Sequence, residues 1–156
     1  MSKTLAIFTP LSNSPPMSGF ATVDIRNNQL ILDFDDTSAE SAIFEGIMPR
    51  TYDSSGLTVV LVWAATTAIT GDVKWNVSFE KLVDLDTDSF AVANTVTETV
   101  AGTSGQVVYT ELSYTNGQID GIVIGDRYRL KVTRDAVDAS DTMIGDAELV
   151  AVSIYE

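Results

Sequence analysis

The chain contains no histidine and no cysteine in 156 residues. Without imidazole or thiol it lacks the usual general base near neutral pH, the thiolate nucleophile and the favoured transition-metal ligands. A disulfide framework is excluded outright, so stability must come from packing and assembly. Proline is scarce, and three of the four prolines fall at Pro10, Pro15 and Pro16. No apolar run approaches the roughly 18 residues of a membrane span. The short apolar patch Leu5 to Phe8, preceded by Lys3, is too brief for a signal peptide. Basic residues are few as well: nine Lys plus Arg stand against 22 Asp plus Glu, for a formal charge of −13. Such a surface repels phosphate backbones and anionic membranes, so neither nucleic acid nor a membrane is expected as a partner.

What the chain does have is short alternating strands. Its length suits a single domain with its own core. Residues 1–19, rich in Pro, Ser, Asn and Gly, read as an extended N-terminal arm, and residues 20–156 as one β domain. Phe20 to Ile25 and Gln29 to Phe34 flank Asn27-Asn28 as a hairpin. Ser41 to Ile47 follows, then Leu57 to Ala65, apolar on both faces and so placed at a sheet centre or a subunit interface. Val73 to Lys81 alternates, with Val73, Trp75, Val77 and Phe79 inward and Lys74, Asn76, Ser78 and Glu80 toward water. Phe90 to Val100, Val107 to Tyr114, a turn at Asn116-Gly117, a short Ile119 to Ile124 segment, Tyr128 to Val132 and Ala147 to Tyr155 complete the set. Eight or nine strands with polar turns predict an all-β fold, a two-sheet antiparallel sandwich. The jelly roll is the size match, with an immunoglobulin-like topology left open.

No phosphate loop, dinucleotide fingerprint or nucleophile elbow is present, and no cofactor is expected. Asp84, Asp86 and Asp88 alternate like the opening of a calcium loop. Ser89 and Thr95 stand where an EF-hand needs glycine and glutamate, so only a looser calcium site remains open against a solvated acidic loop. Asp33, Asp35 and Asp36, and later Asp135, Asp138 and Asp141, read as polar turns. Arg127, Arg129, Lys131 and Arg134 concentrate four of the nine basic residues; they suit either cross-strand pairing with carboxylates or contact with a partner protein. Trp63 and Trp75 read as core, whereas Tyr52, Tyr109, Tyr114 and Tyr155 are less constrained. No carboxylate pair can be nominated for glycoside hydrolysis, and the chain reads as a non-enzyme.

Several segments together resemble small β proteins encoded among the structural genes of tailed bacteriophages. They include Phe20-Ala21-Thr22-Val23-Asp24, Leu32-Asp33-Phe34-Asp35-Asp36, Trp63-Ala64-Ala65, Arg129-Leu130-Lys131-Val132 and Gly145-Asp146-Ala147-Glu148-Leu149. The resemblance covers residues 20–156 and rests on scaffold and turn residues, not on a catalytic motif. It implies a virion structural protein: a capsid decoration or cement protein, or a head-fibre-like one. Such a protein would sit on the outer surface of the capsid as a homotrimer and bind the major capsid protein through Arg127, Arg129, Lys131 and Arg134. The alternative is a tail-associated receptor- or carbohydrate-binding module using exposed tyrosines and calcium near Asp84, Asp86 and Asp88.

Overall fold

Alternation of apolar and polar residues, with little helix-forming sequence between the turns, dictates strands throughout. The structure, a computed structural model, describes residues 2–156. It contains strands β1 (Thr4–Phe8), β2 (Thr22–Arg26), β3 (Gln29–Phe34), β4 (Glu40–Ile47), β5 (Leu57–Ala64), β6 (Asp72–Lys81), β7 (Asn94–Thr99), β8 (Val108–Tyr114), β9 (Arg127–Arg134) and β10 (Ala147–Tyr155). The first sheet runs β2-β3-β10-β5-β8, with β1 also pairing with β10; the second runs β4-β9-β6-β7. All of these strand pairs are antiparallel. The last strand enters the middle of the first sheet and β9 the middle of the second, so pairing is long-range and the fold is a jelly-roll sandwich.

The core lies between the inward faces. Val73, Trp75, Val77 and Phe79 of β6 are all fully buried, as their alternation predicts. Trp75 meets Trp63 of β5 at 5.7 Å and Phe34 of β3 at 5.2 Å, both edge-to-face, and so stitches the two sheets together. Such pairs add about 0.5–1.5 kcal/mol beyond burial. The predicted β2–β3 hairpin is present, with Asn27 and Asn28 both at positive φ (48° and 63°), the backbone a two-residue I′ turn requires.

The extended segment expected over residues 1–19 lies on its own domain. β1 pairs with β10, Ile7 opposite Ser153 and Phe8 opposite Val152, and Phe8 stacks on Phe44 at 5.3 Å. The backbones of Lys3 and Glu156 exchange hydrogen bonds of 2.8 and 2.9 Å at the open end of this pair. The chain then crosses to the other sheet. There the Ser14 N–H donates to Ile43 O, Asn13 Oδ1 accepts from the Ile43 N–H, and the Ser41 N–H donates to Gly19 O. The segment is therefore a strap that covers the outer edge of β4, which would otherwise present unpaired backbone.

Three strand expectations are corrected. Phe90 and Val92 lie outside β7. Phe90 leaves the sheet to sit under Arg129 and Lys131, 5.0 and 4.5 Å from its ring, and Val92 is 90% exposed. Ile119 to Ile124 is a turn, because Asp120 and Gly121 both take positive φ; it buries Ile119 and Ile122 at one end of the core. On β6, Ser78 and Glu80 do not face water, since the chain after Lys81 folds back over them and Arg129 closes on the Glu80 carboxylate. The outward face of β5, which pointed to a sheet centre or subunit interface, is covered within this chain: Val60 is buried and Val62 half-buried.

Candidate functional site

The outer face of the first sheet holds the best-built concavity. β-Sheet registry places Val62 opposite Tyr109 and Ala151, Ala64 opposite Glu148, and Glu148 opposite Asp33. A register shift between Leu149 and Ala151 bulges β10 at Val150. A bulge bends its strand and re-aims side chains, and here it borders a pocket of about 380 Å³. Ile31, Ala64 and Val150 supply apolar surface, while Arg26, Asn27 and Gln29 from the β2–β3 hairpin form one wall.

The polar heart of the pocket is Glu148, 2% exposed. Its Oε1 accepts from Arg26 Nε at 2.8 Å and from Thr66 Oγ1 at 2.6 Å. The same guanidinium reaches Asp24 at 2.5 Å and Asp33 at 3.3 Å, so three carboxylates from three strands clamp one cation. The Asp24 and Glu148 hydrogen bonds hold Arg26 above its ordinary pKa. Burial, with the Asp146 charge second, pushes Asp33 up to about 6 in spite of Arg26. Val107, just before β8, lines the pocket, and Tyr109 two residues on is 68% exposed on the same face.

This set of groups matches the chemistry of a sugar ring. Planar amides, a guanidinium and a carboxylate can bond neighbouring hydroxyls, while an apolar floor and an exposed aromatic meet the C–H faces. Cleavage is not served: Glu148 Oε1 is spent on two donors, and the neighbouring carboxylates converge on Arg26 instead of facing one another across a gap.

Of the residues singled out from sequence, Asp84, Asp86 and Asp88 come together with Arg127 and Arg129 around a small separate pocket of about 140 Å³, whereas Lys131 and Arg134 do not line it. Asp84 accepts from the Thr87 N–H and Oγ1, and Asp88 accepts from the Val83 and Asp84 N–H groups, so these oxygens are spent on the loop's own backbone and hydroxyl. The Thr87 hydroxyl holds the Asp84 carboxyl down at about 2. Among the described residues no group of three or more carboxylates is arranged to hold a metal ion.

Of the basic cluster, Arg127 pairs with Glu45, Arg129 donates to both oxygens of Glu80, and Lys131 sits over Phe90. Arg134 is a correction. It is fully buried on the inward face of β9 and offers no charge to a partner.

Among the tyrosines, Tyr52 and Tyr114 are buried and donate to Asn116 Oδ1 and Val77 O, which leaves Tyr109 and the half-buried Tyr155. Arg26, Gln29, Thr66 and Glu148 were missed. Arg26 and Gln29 flank the Asn-Asn hairpin turn, which marked where the pocket wall would be, while Thr66 and Glu148 come from distant segments with no shared spacing.

No protein-family model matches the chain, and no curated protein matches it. Among solved structures it is similar to a family 35 carbohydrate-binding module from an environmental isolate, with TM-score 0.58 and 9% identity over 96% of this chain and 92% of that one. It is similar also to the CBM22-1 xylan-binding domain of Paenibacillus barcinonensis Xyn10C (TM-score 0.56, 10% identity, 98% and 94% covered). A third is the xylan-binding module CBM15 (TM-score 0.54, 8% identity, 97% and 96% covered). At these identities the likeness is one of fold.

Proposed function

We propose that this chain is a non-catalytic carbohydrate-binding module whose site is the outer-face pocket beside Tyr109. The observation that carries the reading is the exposed Tyr109 ring on the same sheet face as a pocket that holds the Glu148–Arg26 pair and an apolar floor. The whole-chain likeness in fold to carbohydrate-binding modules supports it. The ligand is uncharged, because the pocket's one cation is already held by three carboxylates and the chain carries −13 overall. Attachment to a capsid drew on the basic cluster. Arg134 is buried and Arg127 and Arg129 pair within the chain, which leaves Lys131, seated over Phe90, as the cluster's member outside those ion pairs.

The test is affinity electrophoresis and calorimetry against a panel of neutral and acidic polysaccharides. The expected result is retention by a neutral glycan, lost in Tyr109→Ala and weakened in Gln29→Ala. Retention by no glycan, or retention unchanged by both substitutions, overturns the reading.

A further inference from the structure

A second concavity lies on the side of the sandwich where β7 and β8, the edge strands of the two sheets, meet. It comprises two open basins of about 420 and 430 Å³ that share Asn94 and Gln118. The Gln118 side-chain amide donates to Asn94 Oδ1 at 3.4 Å, and Asn94 Nδ2 donates to Ser113 O at 2.8 Å. Each side-chain NH₂ keeps a further donor, since an amide nitrogen carries two hydrogens. Because Ser113 O points away from β5 to accept from Asn94, Glu111, two residues back, also turns its backbone N–H and C=O to the free edge. Glu111, Ser113 and Thr95 add a carboxylate and hydroxyls, and no lysine or arginine lines either basin.

The two sites are joined by one strand face. Val107 lines the pocket, Tyr109 and Glu111 follow at alternate positions, and Glu111 and Ser113 line the groove. Six residues of strand span about 20 Å. Along this path the Tyr155 hydroxyl donates to Glu111 Oε1 at 3.3 Å and fixes the carboxylate at the crossing.

We infer that the β7–β8 groove is an extension subsite for a neutral, linear glycan chain that runs from the pocket over Tyr109 and Glu111 to the Asn94–Gln118 amides. The module therefore reads an internal stretch of several sugars, not a chain end. The inference rests on the proposed carbohydrate site.

It is tested by calorimetry with a size ladder of neutral oligosaccharides cut from whichever glycan the protein retains. In the wild type, affinity should rise about tenfold or more from the disaccharide to the hexasaccharide, a difference of one decade in Kd. Asn94→Ala and Gln118→Ala should each flatten that rise and leave disaccharide binding unchanged, with melting temperature recorded as the folding control for both. Tyr109→Ala should weaken every length. Tyr109-dependent binding that is indifferent to length, or to both amide substitutions, overturns the groove and leaves the pocket standing; no binding of any neutral glycan overturns both.

Discussion

Arg134 and Asp141 form a two-point ion pair with both side chains out of water: Nη2 meets Oδ1 at 2.9 Å and Nε meets Oδ2 at 3.1 Å. The remaining donors reach the carbonyls of Phe34, Met143 and Gly145, so all five guanidinium N–H groups have an acceptor. One side chain thereby ties β9 to β3 and to the connection that leads into β10. Replacing it by methionine leaves Asp141 buried and unpaired, and should cost about 3–5 kcal/mol in urea unfolding. Lysine, with three donors and no fork, should rescue little. Arg127→Ala, at an exposed pair, should cost only about 0.2–1 kcal/mol.

The N-terminal strap should be structural. Phe8→Ala removes a buried ring stacked on Phe44 and should cost about 3–5 kcal/mol. Deletion of residues 2–9 should cost at least as much, because it also uncovers the edge of β10 from Val152 to Tyr155. Denaturant midpoints of the two variants check both statements.

Stability should fall as pH rises from about 4 to 6, in part through Asp33. Its folded pKa of about 6 lies above the ordinary value of 3.8, so in that window the native state holds the proton more tightly than the unfolded chain. Above it the charged, buried carboxylate lowers stability by up to about 3 kcal/mol, at 1.36 kcal/mol per unit. Glu40 and Asp146, both raised by burial, act in the same direction. Asp33→Asn should raise the denaturant midpoint at pH 8 and flatten its slope between pH 4 and 6, leaving the share of the other two.

Calcium at millimolar concentration should shift the melting temperature by less than about 1 °C, since a ligand stabilises only through preferential binding to the folded state. Differential scanning fluorimetry with and without a chelator checks this. Asp84→Ala should instead loosen the loop by freeing the Thr87 and Asp86 amides, seen as faster hydrogen exchange there.

Where a face was buried on one side only, as in β8, alternation in the sequence was enough; the Asn-Asn pair placed the β2–β3 hairpin, and period two placed β6 but not the cover over its Ser78 and Glu80. Arg134 was legible too. The parity that sends Tyr128, Leu130 and Val132 inward continues two residues on, and ending the strand at Val132 hid it. Phe90 lies ahead of β7, where its ring packs against Arg129 and Lys131 instead of entering the core. The pocket had no local signature. Arg26, Thr66 and Glu148 become neighbours only through the placement of β10 beside β3 and β5, and a sandwich sequence does not write its strand order in its spacing.

The Lys3–Glu156 pairing also sets how the domain answers to tension. Both ends leave from the same point of an antiparallel ladder, so a pull applied through them loads the β1–β10 hydrogen bonds one after another. Such a geometry yields at low force by peeling, whereas ends at opposite poles would load the ladder in shear and break it all at once. The first thing lost would be the strap, with Phe8 drawn out from beside Phe44, while the sheet face bearing Tyr109 still keeps its neighbours on β5.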